Sequence, residues 1–200
     1  MALFGILNIV IFAMLQSGSR SFNIATSRST LQGELNRSLA RLQGEVRRSS
    51  ASLLSVVTDP ARRVDGQRRD GISLSSLRDW QAAASYGANG DPLWNEFNVY
   101  YATRETPGRL LRRTYHPPGA TPYQTPMAGF ASAMLVDNPT GTEVTVLAQH
   151  LEEFKLQYDG GASALKVELL LRRRAGRTPE GRRVNEERVQ ATCQLRVANP

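Results

Sequence analysis

The sequence predicts an α+β protein, in which a long N-terminal helix, first apolar and then amphipathic, packs on an antiparallel β-sheet head. Three observations carry this expectation. The first fifteen residues, MALFGILNIVIFAML, are apolar apart from Gly5 and Asn8 and run unbroken into a polar segment. Leu31, Leu35, Leu39, Leu42, Val46, Leu53 and Val57 then recur at intervals of four, four, three, four, seven and four, which keeps one apolar stripe on a helix. Beyond residue 96 the pattern changes to alternating and β-branched runs separated by turn residues. The expected division is therefore 1–58 for the helix, with 1–15 apolar and 16–58 amphipathic, and 59–200 for a β-rich head.

The apolar run is the first element to justify. A helix of fifteen residues is only about 22 Å long at roughly 1.5 Å per residue, whereas a hydrocarbon core of about 30 Å needs around 20 apolar residues. The run therefore reads as an embedded anchor, a signal-peptide core, or a spanning helix whose start lies upstream. A secretory signal wants a basic residue before the core and a small-x-small site after it; nothing basic precedes Ala2, and AMLQSGS is a poor site. Because the run is apolar all round, a membrane or the core of a filament is a better environment for it than one side of a soluble domain. Leu3, Phe4, Ile6, Leu7, Ile9, Val10, Ile11, Phe12 and Leu15 are the residues expected to make that packing.

The amphipathic part carries Glu34, Arg37, Arg41, Glu45, Arg47 and Arg48 beside its stripe, with Glu34/Arg37 and Glu45/Arg48 at helix-neighbour spacing. Asp59-Pro60 is expected to stop it, since proline lacks the amide donor and disfavours helix at the preceding residue. Residues 59–71, DPARRVDGQRRDG, have no apolar period and read as an exposed loop. Leu74, Leu77 and Trp80 suggest a short helix over Ser73 to Gln81, and Tyr86 to Pro92 is turn material.

The strands follow. Phe97, Val99 and Tyr101 alternate with Asn98 and Tyr100, and the turn Pro107-Gly108 leads into a return strand from Arg109 to Tyr115, a hairpin. A loop rich in proline and glycine runs from Pro117 to about Gly129. Glu143 to Ala148, Phe154 to Tyr158, Leu165 to Leu171 and Val189 to Val197 read as four further strands, with turns at Asp159-Gly160-Gly161 and across Ala175 to Arg183.

Composition narrows the chemistry. With 40% hydrophobic and 22% charged residues the chain is folded rather than disordered. The formal net charge is +7, and Lys155 and Lys166 are the only lysines, so the cations are nearly all arginine. One cysteine, Cys193, excludes an intramolecular disulfide. His116 and His150 sit in no ligand spacing, since H-L-E-E is not H-E-x-x-H, and there is no G-x-S-x-G, no phosphate-binding glycine loop and no Cys/His cluster. Glu152, Glu153, Glu186 and Glu187 read as solvated pairs. No catalytic residue, cofactor or metal is expected.

The order of the pieces carries a resemblance. An N-terminal apolar helix containing FGIL, an amphipathic continuation, a W-x-x-F-x-V-Y-Y hairpin strand, a G-R-L-x-R return strand, VLAQHLEEFKLQYD, ALKVELLLR and a last strand ending LRVAN resemble the minor pilins and pseudopilins of type IV pili and type II secretion, PilW/GspJ type above all. The resemblance covers nearly the whole chain and implies a subunit that assembles into a filament with other pilin or pseudopilin subunits. It implies storage in the inner membrane as a single-pass protein, with the head on the outer side. It also implies a basic leader ending in glycine, cleaved by a prepilin peptidase, ahead of the helix. If Phe4-Gly5-Ile6-Leu7 corresponds to the family's mid-helix segment, that leader and about nine mature residues would be read upstream of Met1.

Two other functions fit the same residues. Arg62, Arg63, Arg68 and Arg69 in one loop, and Arg172, Arg173, Arg174, Arg177, Arg182 and Arg183 in another, are candidates for a phosphate-tracking surface, as in a minor pilin of a DNA-uptake pilus. Few aromatics interleave with these runs to stack on bases, which weighs against DNA. The other alternative is an unrelated membrane-anchored β-domain.

Overall fold

The computed structural model describes residues 2–116, 122, 135–139, 143–175 and 185–197. It is α+β: one long helix, α1 (Ala2–Arg48), and seven strands, β1 (Ser55–Val57), β2 (Gly71–Ser76), β3 (Glu96–Ala102), β4 (Gly108–Tyr115), β5 (Val144–Asp159), β6 (Ala164–Ala175) and β7 (Asn185–Arg196). Every strand pairs antiparallel with its sequence neighbour, so the spatial order is β1 to β7 without a crossover.

The helix ends earlier than its apolar spacing predicts. After Arg48 the chain enters a 3-10 turn, Ala51–Leu53, and then β1. The Ser75 hydroxyl fixes this exit, accepting from the Ser50 backbone N–H at 2.9 Å and lying 2.9 Å from the Ser49 hydroxyl. Leu53 and Val57 therefore leave the helical stripe; both belong to a cluster on the far side of the sheet. Asp59-Pro60 starts another 3-10 turn, capped by Asp59 Oδ1 accepting from the Ala61 N–H, instead of stopping α1.

The segment expected as a short helix from Ser73 is strand β2, entirely buried and held between β1 and β3. Ile72 and Leu74 supply a period of two to the helix-side core, and this long-range pairing overrides the three-residue spacing of Leu74, Leu77 and Trp80. The β3–β4 hairpin is as expected, and Gly87 and Asp91 close the turn after Tyr86. Glu143 to Ala148 and Phe154 to Tyr158, expected as two strands, form the single strand β5. At its far end Asp159 Oδ1 accepts from the N–H groups of Gly161 and Ala162, which makes the turn into β6. The loop from Pro117 and the turn from Ala175 to Arg183 lie largely outside the described residues.

The sheet is sandwiched between two apolar layers. On one face Leu31, Leu35, Leu42 and Val46 of α1 pack against Ile72, Tyr100, Leu110, Phe154, Leu156, Val167, Leu169 and Leu195. On the other, Phe97, Val99 and Tyr101 of β3 meet Leu53, Leu77, Trp94 and Leu111. The alternation along β3 is what feeds both layers. At the end of α1, Arg48 lies 5.9 Å over the Trp80 ring, which meets Trp94 edge-on.

Two charges beside the helical stripe reach the sheet, and Glu45 also lies 3.7 Å from its helix neighbour Arg41, not from the Arg48 that the spacing suggested. Glu34 accepts from the Gln149 backbone N–H at 3.0 Å, Glu45 from Arg112 Nε at 2.9 Å, and the Ser38 hydroxyl lies 3.1 Å from the Leu147 carbonyl. Together these polar ties set the rotation of α1 over β4 and β5.

Strand β5 changes partners along its length. Its first half, to Leu151, pairs with β4, and its second half, from Leu151, pairs with β6. Register shifts mark the handover, and His150 there takes a left-handed backbone with φ 57°. The edge that β4 leaves open on β5 is filled by residues 68–70: the Phe154 N–H donates to the Arg68 carbonyl and the Asp70 N–H to the Phe154 carbonyl, each at 2.9 Å.

Candidate functional site

The candidate functional surface is the first half of α1. Leu31 is the first residue of the helix to be buried; residues 4–30 are exposed or nearly so, and at about 1.5 Å per residue they extend some 40 Å beyond the head. Along this length Phe4 is 73% exposed and Ile9 and Phe12 are 70% exposed, with Ile6, Leu7, Val10, Ile11 and Leu15 in the same state. The side chain of Leu3 lies outside the described residues. Burial of these eight side chains is the gross driving force open to a complex, at most about 1.5–3 kcal/mol for each before the costs of association are subtracted. No charge stands on the helix before Arg20. Among the described residues no helix is long and apolar enough to cross a membrane.

The arginine-bearing segment before β2 is not the exposed loop that its composition predicts. Arg62 is 5% exposed; its guanidinium donates to the carbonyls of Ala102 at 2.5 Å, Leu135 at 3.1 Å and Arg69 at 3.2 Å. Arg69 is 3% exposed. Burial pushes the pKa of both guanidinium groups down from the ordinary value. Arg68 is half-buried and pairs with the buried Asp70 at 2.6 Å, while Asp70 Oδ2 also accepts from the Leu156 N–H at 2.8 Å. Of the four arginines in this segment only Arg63 is exposed.

In the second basic run, Arg172 donates to Glu152 Oε1 at 3.0 Å and to Glu186 at 2.6 Å, and these carboxylates, Glu186 first, raise its pKa. Glu152 also accepts from Arg188 at 3.3 Å, so it is a half-buried ion-pair partner and not a free solvated carboxylate. Arg173 is half-buried, and the side chains of Arg174, Arg177, Arg182 and Arg183 lie outside the described residues. The described structure therefore does not gather the predicted phosphate-binding arginines on one open face: Arg62 and Arg69 are interior groups.

Among the described residues no group of His, Cys, Asp and Glu side chains is arranged to hold a metal ion. Cys193 is half-buried against the helix-side core, and burial pushes its thiol pKa up, away from the reactive thiolate. No protein-family model, no curated protein and no solved structure matches this chain.

Proposed function

We propose that the chain is an assembly subunit of the minor pilin or pseudopilin kind, held in the inner membrane by its N-terminal helix and packed through that same helix into a type IV pilus or type II secretion pseudopilus. The observation that supports this most is the split within α1. Its second half is built into the head, and its first half presents apolar side chains on all sides with nothing covering them. A helix so exposed needs lipid or the matching helices of neighbouring subunits, and one apolar segment can serve both in turn. A DNA-capturing variant of the same subunit has less support, because Arg62 and Arg69 are buried.

The test is a charge placed in the apolar segment. Ile9→Asp or Phe4→Asp, each in the full-length precursor produced beside the other subunits of its machinery, should abolish incorporation into filaments. A charge at mid-membrane costs about 2.5–3.5 kcal/mol on insertion scales. A chain lacking residues 1–22 should stay soluble and keep its β-sheet signal. Filaments that form normally with Ile9→Asp would refute the reading, and membrane association without any filament incorporation of the wild type would leave an anchored β-domain.

A further inference from the structure

Where β5 passes from β4 to β6 the structure holds a cavity of about 460 Å³, walled by Val64, Gln67, Arg69, Pro107, Leu151 and Glu152. That volume is in the range of small-molecule sites, which combine apolar walls with a few convergent polar groups. Val64, Pro107 and Leu151 supply the apolar part. Arg69 supplies an open cation: it is 3% exposed, and its Nε and Nη1 have no hydrogen-bond partner. Buried guanidinium groups are normally matched, so two unmatched donors beside a cavity call for an acceptor.

Two features show that the site is built around this guanidinium. A Cβ placed on Gly108 would overlap Arg69 Nη1 and lie 2.8 Å from Cζ, so the hairpin glycine leaves the space that the side chain occupies. The backbone of Arg69 is fixed as well: its carbonyl accepts from Arg62 Nε at 3.2 Å, and it bridges to Phe154. Glu152 in the wall is held by Arg172 and Arg188 through Oε1, its Oε2 lies buried without a partner, and neither of its oxygens bonds to Arg69. Glu152 and Asp65 line the cavity together with Arg172, but Arg172 is already paired with Glu152 and Glu186, so Arg69 is the cation left to match and a single negative charge does so.

We propose that this cavity binds a monocarboxylate carried on an apolar body, the carboxylate accepting from the open N–H groups of Arg69 and the apolar part lying against Val64, Pro107 and Leu151. The ligand chemistry is shared by a free acylated amino acid and by the C-terminal residue of a peptide. This inference is independent of the filament reading.

The experiment is calorimetric titration of the full chain in detergent micelles with N-acetyl-leucine and with its amide. The acid should bind saturably, and the amide at least about tenfold more weakly, because a hydrogen bond to a charged group is lost. Arg69→Met should weaken the acid by the same factor. If that variant does not fold, Gln67→Trp, which fills the cavity and leaves Arg69 in place, should do so too. A leucine-terminated peptide with a free carboxylate, run beside its amidated form, assigns the natural source: tighter binding than N-acetyl-leucine points to a protein C-terminus, and weaker binding to a small molecule. The proposal is overturned if neither acid binds saturably, if acid and amide bind alike, or if Gln67→Trp leaves binding unchanged.

Discussion

The two halves of α1 have opposite energetic roles, and one substitution in each half tests that. Leu42 is 1% exposed beneath the sheet, and Ile9 is 70% exposed on the projecting half. Replacing a buried leucine by alanine removes its transfer free energy and leaves a cavity, together about 3 kcal/mol at a site that collapses partly. For a chain of this size each kcal/mol moves Tm by about 2–4 °C, so Leu42→Ala should lower the unfolding midpoint by about 6–12 °C. Ile9→Ala removes a comparable side chain that belongs to neither core cluster of the head. Alanine's better helix propensity, at most about 0.7 kcal/mol, works in its favour, so its midpoint should move by less than about 3 °C. Thermal unfolding of the full chain, followed by circular dichroism of the sheet at one fixed detergent concentration, reads both. Equal shifts for the two variants would show that residues 4–30 fold back onto the head, which would contradict the projecting helix.

Two further outcomes follow from charged groups of the head. Arg62→Met should leave the carbonyls of Ala102, Leu135 and Arg69 without their donor and destabilise the head by about 3 kcal/mol or more in urea titration. Arg62→Lys should recover only a small part, because an ammonium cannot span three diverging carbonyls; full recovery would mean that charge alone matters there. Lys166 at 2.9 Å and Lys155 at 3.1 Å hold the Glu168 carboxyl below its ordinary range. A depressed carboxyl stabilises the folded state above its unfolded pKa, and that contribution is lost as pH falls through the folded pKa. The urea midpoint of wild type should therefore exceed that of Glu168→Gln at neutral pH, and the gap should close below about pH 4. A gap that stays constant from neutral to acid pH would rule the ion pairs out as its cause.

Much of this architecture could be read from residue patterns, and the exceptions have a common cause. The helix, its stripe from Leu31 to Val46, the hairpin after Glu96 and the Asp159 turn all rest on local periodicity or turn chemistry, and each is present. What local pattern could not show was pairing over distance. The spacing of Leu74, Leu77 and Trp80 fits a helix until β1 and β3 claim residues 71–76 from both sides. Arg62 and Arg69 sit in a polar stretch with every sign of a solvated loop, but their surroundings come from residues 102, 108, 135 and 151–154. Gly108 read as turn punctuation; its role beside Arg69 could be found only once the hairpin tip and residues 67–69 had been brought together. The projecting half of α1 was the most legible part of the candidate site, because a run that is apolar all round needs no partner information to be recognised.

The uncrossed order of the sheet has a consequence for biogenesis. The stripe of α1 leaves the ribosome first, yet much of its cover comes from β5, β6 and β7, the last strands to be made. At about 5–20 residues per second the interval from residue 48 to residue 196 is roughly 7–30 s. Throughout it, Leu31, Leu35, Leu42 and Val46 lack most of their eventual partners while β1 to β4 can already zip together as neighbouring hairpins. The nascent chain is thus an exposed amphipathic helix joined to a growing meander, a state in which covering the apolar N-terminal segment would lower the risk of aggregation. Early delivery of that segment to a membrane would keep the adjoining stripe beside the emerging head until β7 closes over it.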